Sequence, residues 1–500
     1  MLPNLLLLCR LWPLLPKVNY LIDTGLRFVP PGSQVEQVIK DVRNRAKIDN
    51  DWEKTRQRPE DVHGYAKYNG ACHAIPNLSI FMIAFIHGGH DWGEGMSILN
   101  TCGWDTDSNG GNLGTLLTVM HGLEIFDHGA DWRDPLADRV LISSAEGGYS
   151  INNGTKTAYE ITNFGRQLAG ESPLPPPKDG AQFSFQSPRR CPGFQASPHD
   201  LLPNLVQVEQ ALDTSRRPGL AIRLRNMTNA TGPVEVQTPT FAPPESVDFR
   251  IYDLVSSPIS YPGQSLKAVV RADLDNTAGV EIRLGLHVYN ENDDLDSITG
   301  SPVSLGPGEE KMLEWMVPDT NGQPIQKAGI FLSTPDARFN GTIWLDQLRF
   351  SGSPNFTIKR PNNPADFWMR AWVNNVTAFH HKWKTASFYI TQESGEGSIF
   401  TGTRDWVDCR VLAKGLVINL AASAGVAARA RGLNRYYALM FLPSNRVAII
   451  KARDQQREEL ASVQFNWNLD IRYGVALSVQ GDSITGSIDG LPVLETTDAE

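Results

Sequence analysis

Two carboxylates and a hydroxyl lie within four residues in the stretch Cys102–Gly114, which reads Cys-Gly-Trp-Asp-Thr-Asp-Ser-Asn-Gly-Gly-Asn-Leu-Gly. Asp105, Asp107 and Ser108 offer hard oxygen ligands, which suit Mg²⁺, Mn²⁺ or Ca²⁺ far better than zinc. The glycines allow the loop backbone to approach a ligand closely. The spacing therefore predicts a site for a hard divalent cation.

Two structural explanations compete for the same loop. Asp107 or Ser108 would serve equally well as the N-cap of a following helix. Residues 105–110 also fit the first six positions of an EF-hand calcium loop. That loop requires a bidentate glutamate at position 12, where this chain has Leu116, so the EF-hand is excluded. Cation binding and helix capping both stay open.

Helical patterns dominate the chain up to about residue 170. Ser33–Glu36 has the sequence of a capping box, and apolar residues at 35, 38, 39 and 42 form one stripe behind it. The segment Ile80–Ile86 is apolar on every side, which predicts a helix in the middle of a core. Apolar residues at 113, 116, 117 and 120 predict a further helix after Ser108.

The segment Gly103–Gly110 resembles the G-x-D-T-D-[T/S/C]-N-[A/G] signature of the ADP-ribosylglycohydrolase family. The stretches that precede it resemble the same family in the same order, and the similarity covers roughly residues 20–168. Those stretches are Gly25–Ser33, Asp51-Trp52, the pair His73 and Asn77, and Gly88–Trp92.

The resemblance implies an all-α fold with a two-Mg²⁺ centre that cleaves the glycosidic bond of an ADP-ribosyl group. Carried over by position, Asp105 and Asp107 would be the catalytic, metal-binding carboxylates, and Ser108 would offer its hydroxyl to the metal. The positions implied to line the substrate cleft are His73, Asn77, Gly103, Trp104, Asn109 and Gly110. For the first two, a core histidine and a helix-capping asparagine remain open alternatives.

One part of the family pattern is missing from this sequence. The family draws its other metal ligands from a Thr-Asp-Asp element and a glutamate, and no segment before Asp105 resembles either one. Asp23-Thr24 lacks the second aspartate, and Glu53 lies in a polar turn. The resemblance therefore implies that this chain supplies only part of the ligands, and that it is a fragment, a mis-predicted gene product or an inactive relative.

The second half of the chain predicts β-structure. Residues 171–203 are rich in proline and predict a linker. Residues 204–352 alternate apolar and polar side chains, and Gly341–Phe350 resembles the closing strand of carbohydrate-binding jelly rolls. Residues 365–500 resemble a concanavalin- or laminin-G-like sandwich, on the strand pair Val426–Leu439 and the hairpin Tyr473–Ile484. That resemblance implies glycan partners and a sandwich that stops short of its final strand.

Composition excludes some functions. The net charge of −9 comes without clusters of lysine and arginine, which argues against nucleic-acid binding, and no apolar run approaches a membrane span. Five scattered cysteines indicate neither a zinc site nor a dense disulfide framework. Met1–Arg10 is not a clean signal peptide. Seven N-x-S/T triplets permit a secreted location without establishing it.

The sequence thus predicts a multidomain protein. An incomplete all-α, ADP-ribosylglycohydrolase-like region at residues 17–170 precedes two antiparallel β-sandwich domains of jelly-roll or concanavalin type. The predicted function is Mg²⁺-dependent hydrolysis of N- or O-linked ADP-ribosyl groups, impaired by the missing motif. The alternative is a non-catalytic glycan-binding protein that carries a remnant hydrolase domain.

Overall fold

The protein divides into two compact units, Met1–Trp132 and Arg133–Glu500, in the computed structural model. The structure describes residues 18–68, 70–127, 130, 132, 136–197, 205–248, 254–335, 338–362, 365–380, 388–420 and 423–499. The leucine-rich start, Met1–Arg10, lies outside these residues. The division after Trp132 differs from the boundary near residue 170 that hydrophobic periodicity predicts.

The described part of the first unit is helical. The helix start predicted at Ser33 is present. Ser33 is the N-cap, and its hydroxyl accepts a hydrogen bond of 3.3 Å from the backbone N–H of Glu36. The Glu36 carboxylate in turn accepts a hydrogen bond of 2.7 Å from the Gly32 N–H, which also stabilises this helix start. The helices are α1 (Val18–Leu26), α2 (Gln34–Asp49), α3 (Trp52–His63), α4 (Ala74–Gly88), α5 (Trp92–Cys102) and α6 (Thr106–His121).

Helix α4 lies at the centre of the first unit. It packs against α2, α3, α5 and α6, which explains why its sequence is apolar on every side. Ile80 and Ile83 are fully buried, and Leu113 and Leu117 of α6 join the same core. The predicted stripe on α2 is buried at residues 38, 39 and 42, but Val35 is 38% exposed because it lies on the first turn, beyond the packed face.

Two half-buried histidines should make the stability of the first unit depend on pH. Burial lowers the pKa of His63 and of His87 below the ordinary value of 6.5, although Asp41 and Asp51 oppose the shift. His87 Nε2 lies 3.1 Å from the hydroxyl of Thr55, which is itself buried. The folded unit therefore favours neutral imidazoles, while the unfolded chain binds protons near pH 6.5.

A depressed histidine pKa gives stability that is present above the unfolded pKa and is lost as the pH falls through it. We expect the melting temperature of the full chain to drop between about pH 7.5 and about pH 5.5. The variant His63→Gln/His87→Gln should show a smaller drop in calorimetric scans at both pH values. An equal drop in the variant would show that other groups set the pH dependence.

The second unit begins with a short hairpin and an amphipathic helix. Strands β1 (Arg139–Leu141) and β2 (Ile151–Asn153) pair antiparallel, and α7 (Gly154–Leu168) follows directly. The Asn153 side chain caps α7 by accepting the backbone N–H of Lys156 at 2.9 Å. This hairpin interrupts the all-helical pattern expected up to residue 170, because its strands are too short to show a period of two.

Two antiparallel sheets then form the first β-sandwich. One sheet has the order β11-β7-β13-β5-β4, and the other has the order β10-β8-β12-β6-β3, with β9 paired to β8. Alternate side chains of each strand enter the shared core, as the period of two predicts. The strands are β3 (Gln195–Ser197), β4 (Val206–Leu212), β5 (Pro218–Met227), β6 (Val234–Pro239), β7 (Ser265–Ala272), β8 (Val280–Tyr289), β9 (Leu295–Thr299), β10 (Val303–Leu305), β11 (Glu310–Met316), β12 (Ile325–Ser333) and β13 (Phe339–Ser351).

Part of the proline-rich segment 171–203 belongs to this sandwich. Phe183, Phe185 and Phe194 are buried in its core, and Phe194 forms edge-to-face contacts with the other two rings. Burial of the three rings stabilises the packing of this segment on the sandwich, and this contribution outweighs the preference of its prolines for an extended chain. Proline content alone therefore did not distinguish a free linker from a segment packed on a sheet.

A second sandwich follows two small two-stranded sheets. Its sheets have the orders β18-β23-β24-β25 and β19-β20-β21-β22. The predicted strand pair is present, with Val426 opposite Leu439, and the predicted hairpin turns between Gln480 and Ser483. The elements are α8 (Asp366–Arg370), β14 (Val373–Asn374), β15 (Ala378–His380), β16 (Tyr389–Thr391), β17 (Ile399–Phe400), β18 (Cys409–Val417), β19 (Ala424–Ala428), β20 (Arg435–Leu442), β21 (Arg446–Arg453), β22 (Gln456–Gln464), β23 (Arg472–Gln480), β24 (Ser483–Ile488) and β25 (Leu491–Thr497).

The fold class predicted from the sequence, a helical region followed by two antiparallel β-sandwiches, is confirmed. Within the described residues, no helix is long and apolar enough to cross a membrane. No disulfide joins the four cysteines that the structure describes, and Cys9 lies outside those residues.

Candidate functional site

The loop between α5 and α6 turns through two consecutive residues with positive φ. Gly103 has φ 78° and Trp104 has φ 62°. Glycine adopts this conformation without strain, but a bulky residue does so only when its surroundings hold it there. The loop is therefore a constrained turn that places Asp105 at the start of α6.

Two neighbours hold the Trp104 ring. Tyr65 stacks on it with ring centroids 5.1 Å apart and planes inclined by 15°. The guanidinium of Arg56 lies 4.0 Å from the ring centroid, and Arg56 Nε donates to the carbonyl of Cys102 at 3.1 Å. Stacking and a cation–π contact thus compensate for the left-handed backbone at Trp104.

Asp105 occupies the N-cap position of α6, but its carboxylate does not cap the helix. Instead Asp105 Oδ2 accepts a hydrogen bond of 2.8 Å from Nδ2 of Asn77, which lies on the first turn of α4. Neither Asp107 nor Ser108 is the N-cap residue, because α6 begins at Thr106. The carboxylate of Asp105 therefore makes no capping hydrogen bond to α6 and is directed toward α4 instead.

The carboxylate of Asp107 lies next to that of Asp105. A hydrogen bond with the Asp105 side chain, followed by bonds to the backbone N–H groups of Ser108 and of Asp107 itself, lowers the pKa of Asp107. Two adjacent carboxylates repel one another unless a proton or a cation lies between them. Such a pair offers oxygen donors of the kind that a small hard cation prefers.

Cys72 and Tyr65 also border the carboxylate pair, and the sequence did not point to either one. The negative charge of Asp105 raises the pKa of the exposed Cys72 thiol. Burial raises the pKa of Tyr65, and the charges of Cys72 and Asp105 add to that shift. Both residues lie in the segment between α3 and α4, whose irregular sequence carries no periodic or motif signal.

The remaining predicted residues have different surroundings. His73 is the N-cap of α4, where its Nδ1 accepts the backbone N–H of Ile75 at 3.2 Å, so its described contacts are those of a structural residue. Gly110 is buried against Met96, which indicates helix packing. Asn109 is buried, and its Nδ2 has no partner among the described residues. Of the positions predicted to line the cleft, Asn77 is the one with a described hydrogen bond to the Asp105 carboxylate.

The donor set decides what kind of metal site the loop can form. Asp105, Asp107 and Ser108 would contribute oxygens to part of the octahedral sphere of one Mg²⁺, with water completing it. In the part of the chain that the structure describes, no group of three or more His, Cys, Asp or Glu side chains could hold a metal ion. These residues therefore do not fit a two-metal centre, and their donors would complete only part of the coordination sphere of one cation.

Carbohydrate-binding modules are among the solved structures similar to this chain. The CBM22-1 xylan-binding domain of Paenibacillus barcinonensis Xyn10C is 11% identical with a TM-score of 0.25, and the match covers 35% of this chain and 94% of that domain. The C-terminal family 22 module of Clostridium thermocellum Xyn10B is 13% identical with a TM-score of 0.24, covering 35% and 95%.

A CBM28 module specific for non-crystalline cellulose is 11% identical with a TM-score of 0.26, covering 35% of this chain and 97% of that module. At such identities and TM-scores, the ligands of these modules cannot be transferred to this chain.

No curated protein matches this chain. The model of the ADP-ribosylglycohydrolase family does match it, over residues 10–159. That range contains Asn77 and the Asp105–Asp107 pair, and it extends into the second compact unit as far as α7. The resemblance drawn from Gly103–Gly110 is thus confirmed: residues 10–159 of this protein are similar to the ADP-ribosylglycohydrolase family.

Proposed function

We propose that the Asp105–Asp107 pair is part of a hydrolase site for N- or O-glycosidic ADP-ribosyl linkages, dependent on Mg²⁺ and impaired in this chain. The observation that carries the proposal is the Asp105 carboxylate, which Asn77 holds away from the helix terminus and beside Asp107. An N-cap aspartate that served only the helix would accept from the N–H groups of its first turn. The family match over residues 10–159 supplies the reaction class.

Each residue has a distinct role in this proposal. Asp105, Asp107 and Ser108 would hold the cation, which when bound supplies positive charge for orienting ribose hydroxyls and a water molecule. The lowered pKa of Asp107 favours the ionised carboxylate that a cation ligand requires. Asn77 orients Asp105, and Gly103 and Trp104 shape the loop that faces the substrate.

Impairment follows from the small number of ligands. Two carboxylates and one hydroxyl leave half of an octahedral sphere to water, and one Asp105 oxygen is already engaged by Asn77. We therefore expect weak Mg²⁺ binding, on the order of millimolar, and slow release of ADP-ribose.

Calorimetric titration of the full chain with Mg²⁺ tests the proposal. Asp107→Asn should weaken binding at least tenfold, which corresponds to about 1.4 kcal/mol, because it removes one of two carboxylate ligands. Asp61→Asn, on the exposed face of α3, is the matched control and should bind like the wild type. A folded wild-type chain that binds no Mg²⁺ at millimolar concentration would contradict a Mg²⁺-dependent hydrolase.

We propose glycan binding by the first sandwich as a second candidate function. Gln237 lies on β6 between core-facing neighbours, so its side chain is on the outer face of the sheet. It is 3% exposed, and neither its amide oxygen nor its amide nitrogen has a partner among the described residues. A sugar that displaced the residues covering this side chain would offer hydroxyl donors and acceptors for both groups.

Affinity electrophoresis tests this second function. The chain should be retarded in gels that contain soluble xylan, and Gln237→Leu should abolish the retardation because it keeps the volume and removes both polar groups. Gln456→Leu, an exposed position on β22, is the control substitution. Equal retardation of the wild type and Gln237→Leu would exclude this amide as a binding group.

A further inference from the structure

A chain of two hydrogen bonds connects Tyr65 to the carboxylate of Asp105. The hydroxyl of Tyr65 donates to Oδ1 of Asn77 at 3.0 Å, and Nδ2 of Asn77 donates to Oδ2 of Asp105 at 2.8 Å. The three residues come from the segment after α3, the first turn of α4 and the start of α6. The relay thus joins three separate parts of the first unit.

The Tyr65 hydroxyl binds the acceptor end of the Asn77 amide, while the donor end of the same amide faces Asp105. An amide has an acceptor at one end and a donor at the other, so a donor bound at Oδ1 leaves Nδ2 directed at the carboxylate. Hydrogen bonds in series also polarise one another, which strengthens the bond to Asp105. Asn77 is 7% exposed, so water has little access to replace the hydroxyl.

Tyr65 also acts on the backbone next to Asp105. Its ring stacks on Trp104, whose φ of 62° sets the direction in which the chain enters α6. One side chain therefore constrains Asp105 twice, through the amide that binds its carboxylate and through the neighbouring residue that orients its backbone.

We infer that Tyr65 is a positioning residue, which acts through Asn77 and Trp104 to fix the carboxylate of Asp105 for cation binding. The inference rests on the proposed cation site. With Oδ2 held by Asn77, Asp105 can contribute its remaining oxygen beside Asp107, and a carboxylate fixed in this way loses less conformational entropy when a cation binds.

Terbium luminescence tests the inference in the full chain. Tb³⁺ is a hard cation that prefers oxygen ligands, and Trp104 lies next to Asp105. Because the chain has 12 tryptophans, the ion at this loop is reported by the part of the tryptophan-sensitised emission that Asp107→Asn removes. Tyr65→Phe keeps the ring that stacks on Trp104 and removes the hydroxyl. It should weaken Tb³⁺ binding about tenfold, the usual cost of losing a group that orients a ligand.

Tyr68→Phe is the matched control, because Tyr68 lies in the same segment and its hydroxyl contacts His63 at 3.3 Å rather than Asn77. It should bind Tb³⁺ like the wild type. Emission that Asp107→Asn abolishes and Tyr65→Phe leaves unchanged would overturn the role of Tyr65 while the cation site stands. Emission that Asp107→Asn leaves unchanged would overturn the cation site itself.

A second measurement tests the relay without any metal. The side-chain amide protons of Asn77, observed by NMR, should exchange with solvent faster in Tyr65→Phe than in the wild type or in Tyr68→Phe. Faster exchange supports the relay even if no cation binds. Unchanged exchange would show that Tyr65 does not hold the amide, and the inference would then be wrong.

Discussion

Asp213→Asn is expected to lower the free energy of unfolding of the second unit by about 3–5 kcal/mol. The side chains of Asp213 and Arg271 are 7% and 4% exposed, and they form a buried ion pair on the outer face of the sheet that contains β7, because Arg271 alternates with the core residues Val270 and Ala272. Asp213 also accepts the backbone N–H of Ser215 at 2.9 Å and that of Arg217 at 2.8 Å. Removing its charge leaves the buried guanidinium with one described ion pair, the longer contact of 3.3 Å to Asp346, beside the Trp344 ring.

The matched control is Asp454→Asn, which removes the partner of Arg435 on the surface. Those two side chains are 53% and 60% exposed, so their pairing should contribute less than about 1 kcal/mol. Chemical denaturation of the full chain, followed by circular dichroism of the β-structure, compares the two variants. Similar losses in both would show that the Asp213–Arg271 pair contributes no more than a surface pair.

The Asp213 carboxylate should also make the stability of the second unit depend on pH. Burial opposes ionisation of Asp213, but the backbone N–H of Arg217 and the charge of Arg271 outweigh it, and the pKa of Asp213 is lowered. A lowered carboxylate pKa gives stability that is present above the unfolded value and is lost as the pH falls through the folded one. Acid denaturation of Asp213→Asn should therefore be less steep than that of the wild type.

Gly88→Ala is expected to destabilise the first unit by about 3 kcal/mol. A Cβ atom at Gly88 would lie 2.5 Å from Cα and 2.6 Å from the backbone nitrogen of Gly95. Helices α4 and α5 approach at this pair of glycines, so one added methyl group must push the two backbones apart. The displacement would disturb the core around Leu117, which contacts Gly95 from α6.

Gly111→Ala provides the opposite control within the same unit. Gly111 lies inside α6, and a Cβ atom there would meet no heavy atom within 4 Å. Alanine should therefore stabilise the helix by about 0.5–1 kcal/mol, through the lower conformational entropy of the unfolded chain. Thermal unfolding monitored at the helical circular dichroism signal separates the two variants. A stable Gly88→Ala protein would show that α4 and α5 can separate at little cost.

Much of the fold could be predicted because its signals are local. The start of α2 at Ser33 depends on hydrogen bonds that span three residues, and the central position of α4 follows from an apolar surface on every side. Alternation along β8 and the turn between β23 and β24 likewise depend on neighbours in the chain. The family resemblance likewise rested on short continuous stretches of sequence, Gly103–Gly110 and those that precede it in the same order.

By itself, the amino-acid sequence determined the Asp105–Asp107 pair, the family that its motif resembles, and the change from helices to strands. Only the tertiary structure decided that Asp105 binds Asn77 instead of capping α6, that Tyr65 completes the contact, and that Phe183 is a core residue. Asn77 and Asp105 are 28 positions apart, and no local period relates them. Such contacts form when elements distant in sequence pack together, because burial and hydrogen-bond satisfaction are properties of the assembled core.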